Sequence, residues 1–292
     1  MSQPLKITVI SGKGGSGKSS ITAAFVDLSE RVVALDCDVD ASNLPLLFPH
    51  QIVAEEPFVS SQRVVIDDSI CVGCGRCAAR CAYHALSMTP ERTVQVNPLL
   101  CEGCGVCQLR CPVQAITMED VADSRIYTST FSHGVMIHGA LCPGDDNSGK
   151  MIARMRTVAD EAMEQGKYDL QLLDGPPGIG CSVISTVTGV NKVVIVSEPT
   201  LSGISDLRRA YNVASSFCQD IFVVINKSTM NEENRQTILS FCQQNRLPVI
   251  AQLPFDRRLV EAQLHCQSMV MFAPDSECTL LLKNAYQQLI AI

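Results

Sequence analysis

A glycine-rich loop at residues 12–19, GKGGSGKS, follows an apolar β-type run at residues 5–10 and precedes a helix-type run that starts at residue 21. A loop of the pattern G-x-x-x-x-G-K-[ST] in this setting directs its backbone N–H groups at phosphate oxygens, and the helix N-terminus adds a favourable dipole. The final lysine, Lys18, would reach the β- and γ-phosphates, and the Ser19 hydroxyl would bind Mg²⁺. The predicted phosphate-binding residues are Gly12, Gly14, Gly15, Ser16, Gly17, Lys18, Ser19 and Ser20.

The rest of the chain predicts a parallel sheet. Further apolar β-type runs lie at residues 31–36, 169–173, 192–197, 221–225 and 248–252. Helix-type segments occur between and after them, at residues 149–165, 203–217, 231–245, 256–266 and 276–290. Continuous apolar strands that alternate with helices are typical of a parallel sheet buried on both faces. The predicted fold class is therefore α/β, a P-loop NTPase sheet with helices on both faces.

A cysteine-rich segment interrupts this pattern at residues 60–119. Residues 64–88 align with residues 94–118 at an offset of 30, so that four cysteines match four cysteines. This is an internal duplication of a strand–loop–helix–strand unit. It predicts a small α+β insertion at 60–119, between the two parts of the α/β domain at 1–59 and 120–292.

The cysteine spacing C-x₂-C-x₂-C-x₃-C occurs twice and is that of the bacterial two-cluster ferredoxins. In that pattern three cysteines of one run and the fourth cysteine of the other run hold each cluster. We expect one [4Fe–4S] cluster on Cys71, Cys74, Cys77 and Cys111, and a second on Cys101, Cys104, Cys107 and Cys81. Two zinc sites are the alternative, but zinc favours paired C-x₂-C knuckles with a longer spacer. Ala82 stands after Cys81 where the pattern has proline.

The glycine-rich loop carries a second lysine, Lys13, and its K-G-G-x-G-K-S sequence resembles the deviant Walker A ATPases. That family includes MinD, ParA, the Mrp-type iron–sulfur carriers and the nitrogenase iron protein. DCDVD at residues 36–40 resembles its switch I, and DGPPG at residues 174–178 resembles its switch II. Asn226 is similar to the adenine-reading asparagine, and residues 254–256 to the loop that covers the base. The resemblance covers about residues 5–50 and 125–292.

The resemblance implies a role for each of these residues. Lys13 would cross a dimer interface to the partner subunit's nucleotide, and Asp38 would orient the attacking water. Asp36 would lie near Mg²⁺, Asp174 would hold Mg²⁺ through water, and Gly178 would offer its N–H to the γ-phosphate. The implied catalytic residues are Lys13, Lys18 and Asp38, the implied magnesium residues are Ser19, Asp36 and Asp174, and Asn226, Pro254 and Asp256 complete the nucleotide site. The cofactors are then ATP and Mg²⁺, and the partner is a second copy or a paralogue.

Seven cysteines lie outside the two ferredoxin-type runs. Four of them lie on predicted helices with apolar neighbours and are interpreted as buried thiols: Cys218, Cys242, Cys266 and Cys278. Cys37, within the switch I segment, is also assigned to packing. Cys181 follows switch II, as a cluster cysteine does in the nitrogenase iron protein, and Cys142 could be a second ligand. A third, intersubunit cluster on Cys142 and Cys181 is therefore a hypothesis beside the ordinary structural interpretation.

Charge and composition restrict the partners. The net charge is −7, the pI is about 5.3 and there is no Trp, so we expect no nucleic-acid partner. No apolar run reaches the ~18 residues that span a bilayer, and the last residues, LLLKNAYQQLIAI, contain one lysine, so no stable membrane association is expected. The first residues show no signal peptide. Fifteen cysteines then indicate a reducing, cytoplasmic setting in which thiols bind metal or pack in the core.

These observations predict an ATP-hydrolysing, dimerising protein that couples nucleotide state to electron transfer toward an unidentified redox partner. It would belong with the MinD-superfamily ATPases that have an inserted ferredoxin domain. Two alternatives stay open: an Mrp-type carrier that delivers a cluster to apo-proteins, and a ParA-like positioning switch whose clusters are only structural. The eight closed cysteine ligands argue against the carrier, because a full ligand set favours retention.

Overall fold

A computed structural model describes residues 4–142, 147–166 and 168–291 of the chain. Within these residues, nine strands form one sheet in the order β13-β12-β11-β1-β10-β2-β9-β8-β3. The strands are β1 (Leu5–Ser11), β2 (Val32–Asp36), β3 (His50–Phe58), β8 (Ser124–Phe131), β9 (Gly134–Ala140), β10 (Leu170–Pro177), β11 (Lys192–Ser197), β12 (Asp220–Ile225) and β13 (Val249–Gln252). The pairs from β13 to β9 are all parallel, and this sheet confirms the predicted fold class.

Helices cover the sheet, and several of them begin with a side-chain cap. They are α1 (Lys18–Asp27), α4 (Ser148–Gln165), α5 (Cys181–Val187), α6 (Leu201–Ala214), α7 (Glu232–Gln244), α8 (Arg258–Leu264), α9 (Met269–Phe272) and α10 (Glu277–Ile290). Thr200, Asn231 and Ser276 each accept a hydrogen bond from a backbone N–H in the first turn of α6, α7 and α10. Such caps satisfy donors that have no partner within the helix.

The central strand β1 is buried on both faces. Ile7 and Val9 pack with Phe25 of α1 and Leu282 of α10 in one hydrophobic core. Side chains alternate along a strand, so Ile10 points to the other face, where it is also fully buried. This explains why the sequence shows continuous apolar runs rather than alternation.

Three strands of the large sheet, β3, β8 and β9, were not foreseen by the sequence pattern. Strand β3, at the edge, is largely exposed and contains Glu55, Glu56 and Pro57. Charged residues and proline are the usual protection of an edge strand against pairing with other chains. They also remove the apolar signal by which a strand is predicted, so the segment looks like a loop.

The described residues of 57–125 and 141–147 form a second compact unit, separate from the unit made by 1–56, 126–140 and 148–292. It contains the antiparallel pairs β4 (Ser61–Ile66) with β7 (Ile116–Val121) and β5 (Leu86–Met88) with β6 (Val94–Val96). Two short helices complete it, α2 (Arg76–Arg80) and α3 (Val106–Leu109). Val64, Leu86, Val94 and Ile116 form its small core, against which six of the repeat cysteines pack or lie. The predicted boundaries at residues 60 and 119 stay a prediction.

The duplication is visible in the backbone of this second unit. Gly73 and Gly103 have φ of +62° and +61°, and Gly75 and Gly105 have φ of +68° and +72°. The repeats therefore share the same loop conformation.

Among the described residues, no helix is both long and apolar enough to cross a membrane.

Gly134, at the start of β9, provides a test of the sheet register. It has φ of +148°, and a Cβ there would overlap the carbonyl oxygen of Val32 on the paired strand β2. We expect Gly134→Ala to lower the free energy of unfolding by about 1–3 kcal/mol, because alanine strains this backbone. Urea denaturation measures the change, with Ser132→Ala in the exposed turn before β9 as the control. Equal denaturation midpoints for Gly134→Ala and the wild type would contradict this register.

Candidate functional site

The glycine-rich loop lies between β1, which ends at Ser11, and α1, which begins at Lys18. Gly15 and Gly17 have φ of +78° and +90°, a region that L side chains rarely adopt. A Cβ on Gly17 would also overlap the side-chain amide of Asn226. Gly17 is therefore required both by its own backbone and by the asparagine packed against it.

A cavity of about 430 Å³ opens beside this loop. Most of the predicted site residues line it: Lys13, Gly14, Gly15, Ser16, Gly17, Lys18, Ser19, Ser20, Asp38, Asn226 and Asp256. One wall is apolar and was not predicted from the sequence; it consists of Leu46, Leu47, Phe255, Leu259 and Val260. A polar end with N–H groups and lysines, and an apolar end with a phenyl ring, suit a ligand with phosphates at one end and a flat base at the other.

Lys18 is buried and pairs with Asp174. Its Nζ lies 3.0 Å from Asp174 Oδ1 and 3.3 Å from Ser19 Oγ. Burial opposes the charge of Lys18, but Asp174, Asp36 and Asp38 outweigh it and raise the pKa of this lysine. Lys18 is therefore a permanent cation at the floor of the cavity.

Two buried polar atoms at this site have no hydrogen-bond partner, Asp174 Oδ2 and Ser16 Oγ. An unpartnered buried carboxylate oxygen is costly unless it is ligated or hydrated. Asp174 Oδ2 therefore fits the predicted role of holding Mg²⁺ through water, together with Ser19 in the cavity. Ser16 Oγ is placed to donate to a phosphate oxygen.

Asp36 is engaged by the backbone and side chains of the switch I loop. Its Oδ1 accepts from the N–H of Asp38, and its Oδ2 accepts from Ser42 Oγ and from the N–H groups of Asn43 and Leu44, at 2.8–3.1 Å. Both oxygens thus bind the switch I loop, and the residue does not line the cavity. Asp36 thus fastens switch I in this structure, and its predicted position near Mg²⁺ stays a prediction.

The electrostatics of Asp36 agree with this role. Complete burial and the neighbouring Asp174 raise the pKa of Asp36 to about 7, against hydrogen bonds from Leu44 and Ser42 that lower it. Asp174 and Asp36 are register partners on the parallel strands β10 and β2. Asp174 is therefore the carboxylate that neutralises Lys18, and Asp36 is satisfied by the loop that it holds.

Lys13, the second lysine of the loop, is held within its own chain. Its Nζ lies 2.5 Å from Glu198 Oε1 and 3.0 Å from Ser202 Oγ. Glu198 Oε2 also binds Lys227 Nζ at 3.0 Å. Against burial, these two lysines lower the pKa of Glu198, so it stays ionised. Glu198 directly follows the strand β11 (Lys192–Ser197), and it was not among the predicted site residues.

Asp174, like Asp36, is not among the residues that line the cavity. Four other predicted residues are engaged differently from the expectation or lie outside the cavity lining. Asn226 Nδ2 donates to the carbonyl oxygen of Ser16 at 2.8 Å, so the asparagine braces the loop. The Gly178 N–H donates to the carbonyl oxygen of Ser11 at 3.0 Å, so switch II must move before this group can reach a phosphate. Gly12 packs against Asp206, and Phe255 rather than Pro254 lines the cavity. The adenine-reading role of Asn226 stays a prediction.

The eight repeat cysteines line two small cavities in the second unit. One cavity is lined by the first quartet, Cys71, Cys74, Cys77 and Cys111. The other is lined by the second quartet, Cys81, Cys101, Cys104 and Cys107. These are the two groupings that the spacing predicts. Among the described residues, no three His, Cys, Asp or Glu side chains are placed to hold a metal ion between them. The thiols of each quartet thus line one cavity together, and the assignment of an iron–sulfur cluster to each quartet stays a prediction.

The remaining cysteines divide into buried and accessible thiols. Cys37, Cys218, Cys242 and Cys278 are buried, as expected. Cys266 is exposed, and the expectation of a buried thiol was wrong, because α8 ends at Leu264 and Cys266 lies in the turn that follows. Cys181 is exposed at the start of α5, and the Cys142 N–H donates to Ser124 Oγ. The third-cluster hypothesis for these two cysteines stays a prediction.

Comparison with known proteins gives the family of the chain. A family model described as the CobQ/CobB/MinD/ParA nucleotide binding domain matches residues 7–268. An uncharacterized protein of Methanocaldococcus jannaschii is 38% identical over 233 residues, which are 79% of this chain and 80% of that protein. A second uncharacterized protein of the same organism is 23% identical over 283 residues, which are 93% of this chain and 94% of that protein.

Solved structures show the same fold at low identity. The septum site-determining protein MinD of Pyrococcus horikoshii, complexed with Mg-ADP, has a TM-score of 0.56 and 17% identity, covering 98% of this chain and 96% of that chain. A ParA family ATPase from Chlorobium tepidum has a TM-score of 0.55 and 14% identity, covering 97% of this chain and 98% of that chain.

The anchoring of switch I by Asp36 is testable by substitution. Asp36→Ala removes the acceptor for the N–H groups of Asn43 and Leu44, and hydrogen bonds to a charged group contribute about 1.5–3 kcal/mol. We expect these two amides to exchange with deuterium about tenfold faster or more, since 1.36 kcal/mol is about a factor of ten. Hydrogen-exchange mass spectrometry measures the change. Asp40→Ala, an exposed carboxylate of the same loop, serves as the control, and equal exchange in both variants would remove the anchoring role.

Proposed function

The chain belongs to the CobQ/CobB/MinD/ParA nucleotide-binding family, and we propose that it is an ATPase that couples nucleotide state to electron transfer through two [4Fe–4S] clusters. It has the nucleotide-binding ATPase fold of MinD and ParA. The observation that carries the finer proposal is that one chain contains both a phosphate-loop cavity and two cavities lined by four thiols each.

In the nucleotide cavity, Lys18 and the N–H groups of the glycine-rich loop would hold the β- and γ-phosphates. Ser19 and the unpartnered Asp174 Oδ2 would hold Mg²⁺, which neutralises phosphate charge when it is bound. Asp38, which lines the same cavity, would orient the attacking water. Phe255 and the neighbouring apolar wall would enclose the base, which keeps water away from this end of the site.

The second unit would hold the two clusters, one on each quartet. Thiolate ligands and a small apolar surround suit iron–sulfur clusters, which when bound supply one-electron redox chemistry at low potential. The Ala85 N–H points at Cys81 Sγ at 3.3 Å, and the Ala115 N–H points at Cys111 Sγ at 3.3 Å. Such N–H donors stabilise negative charge on the ligand sulfur, and thus support a thiolate at these positions.

A link between the two halves is present in the chain itself. Asp36 holds the switch I loop, the loop continues through the turn Leu44–Leu47, and β3 then leads directly into the second unit. A nucleotide that reorders switch I would therefore act on the segment that is joined through β3 to the cysteine-containing unit. The proposed partners are a second copy or a paralogue across the nucleotide, and a redox protein.

A ParA-like positioning switch with structural clusters is the second candidate, favoured by the similarity to a ParA family ATPase. The two candidates differ in redox activity. If the clusters take up an electron from dithionite and their EPR signal changes when an ATP analogue is added, electron transfer is supported. Clusters that stay oxidised under dithionite would favour the positioning switch.

Iron content tests the cluster proposal. Protein purified without oxygen should contain about eight irons per chain, four for each quartet. Cys74→Ser and Cys104→Ser should each lose about four, because each removes one ligand of a different quartet. Cys266→Ser, an exposed cysteine outside both quartets, should retain about eight. An iron-free wild type would overturn the proposal, and about ten irons would support the additional cluster at Cys142 and Cys181.

Lys13 tests the two-subunit ATPase mechanism. Lys13→Ala should lower ATP turnover by about 10³-fold or more, which is the scale for a cation supplied to the transferring phosphate. Nucleotide binding should be largely retained, because Lys18 and the loop N–H groups remain. Turnover and equilibrium binding of a fluorescent ATP analogue measure the two effects, with Lys150→Ala on the exposed surface of α4 as the control. Wild-type turnover in Lys13→Ala would exclude a catalytic role for this lysine.

A further inference from the structure

The duplicated unit contains its own internal comparison, since each position of the first repeat has a counterpart 30 residues later. The two halves agree in the loop glycines, and His84 and Gln114 have φ of +54° and +55°. The N–H donors to Cys81 and Cys111 are both at 3.3 Å from sulfur. The backbone at these positions and the hydrogen bonds to these two sulfurs are therefore matched, and the side chains that line the cavities are a source of inequality between the quartets.

The side chains that line the two cavities differ in charge at matched positions. The first quartet's cavity is lined by Val72 and Arg76. The counterparts of these residues in the second quartet's cavity are Glu102 and Val106. At each of these two matched positions, one repeat has a valine and the other has a charged residue. The cation, Arg76, lines the first quartet's cavity, and the anion, Glu102, lines the second.

The two loops also pack against matched residues, Arg92 at the first quartet and Gln62 at the second. The loop of the first quartet lies against Arg92, because a Cβ on Gly73 would overlap the carbonyl oxygen of Arg92. The corresponding loop of the second quartet lies against Gln62, because a Cβ on Gly103 would overlap the carbonyl oxygen of Gln62. Residues 62 and 92 are again 30 apart. The backbone of Arg92 therefore lies beside the first loop as the backbone of Gln62 lies beside the second.

We propose that this charge pattern makes the two clusters unequal, so that the cluster on Cys71, Cys74, Cys77 and Cys111 has the higher reduction potential and retains the electron. This inference rests on the proposed function, since it requires both clusters. An added electron makes a cluster more negative, so Arg76 favours reduction at the first quartet and Glu102 opposes it at the second. These side chains are exposed, and salt moderates their effect.

Two other acidic residues of the first repeat do not reverse this pattern. Asp67 and Asp68 precede the first quartet, but neither lines its cavity. The Asp67 carboxylate is also occupied by the N–H and hydroxyl of Ser69, at 2.9 and 2.6 Å. Arg80 and Arg110 are counterparts of equal charge and cancel in the comparison. Among the residues that line the two cavities, the unmatched charges are those of Arg76 and Glu102.

The consequence is a direction within the unit. An electron that enters at the second quartet would pass to the first, since the first is the lower free-energy position for it. One-electron oxidation of the second cluster and one-electron reduction of the first balance in this step. The donor is any one-electron reductant of lower potential, for which dithionite serves as the probe.

EPR-monitored redox titration of the holo-protein, in the wild type and in variants that exchange matched residues, tests the proposal. Arg76→Val replaces the arginine by its counterpart in the second repeat and should lower only the potential of the upper reduction step. Glu102→Val replaces the glutamate by its counterpart in the first repeat and should raise only the potential of the lower step. We expect each change to alter the electron's equilibrium about threefold, which at 59 mV per tenfold is roughly 28 mV. Asp68→Asn, a charge change outside the cavity, should shift neither step by this amount.

The selectivity of the two variants decides the outcome, because repulsion between two electrons separates the steps even for identical clusters. If Arg76→Val shifts the lower step, or if neither variant shifts its own step beyond the Asp68→Asn control, the proposal is overturned. Iron analysis on the same samples separates this from failure of the proposed function. About eight irons with unselective shifts would reject only the inequality, whereas iron-free protein would reject the clusters themselves.

Discussion

The candidate nucleotide site depends on the burial of two carboxylates, Asp36 and Asp174, beside a single buried lysine, Lys18. The register places Val9, Asp174 and Asp36 side by side on β1, β10 and β2. Only one of the two acids can be neutralised by Lys18 at short range, and the other needs a different partner. The chain supplies that partner as backbone N–H groups of switch I. The conformation of the loop is thus a response to the burial of Asp36.

The same constraint explains why the site is ready for a cation. With Lys18 on Asp174 Oδ1, the second oxygen of that carboxylate has no partner. Bound Mg²⁺ and its water would satisfy this oxygen, and phosphate would satisfy Lys18 and Ser16. Ligand binding would then complete hydrogen bonds that the protein alone leaves open at Asp174 and Ser16.

The sequence was most informative where local geometry alone dictates residue type. The glycine-rich loop, the central strands and the two cysteine groupings all follow from spacing, because a phosphate cradle or a thiol quartet tolerates few alternatives. Asp36 and Glu198 were beyond reach for a different reason. Whether Asp36 faces a metal or its own loop depends on how residues 42–44 fold back. The contact of Glu198 with Lys13 joins segments that are far apart in the chain. The edge strand β3 was missed because its charges, which protect the edge, also mask its periodicity.

Strand β3 has one more implication. It ends at Phe58, and β8, its neighbour in the sheet, begins at Ser124. Residues 59–123 therefore connect two neighbouring strands at the edge of the sheet. The central strands β1, β10 and β2 lie outside this connection. The edge of a sheet can therefore accept an insertion of this length without any change to the strands that carry the candidate nucleotide site.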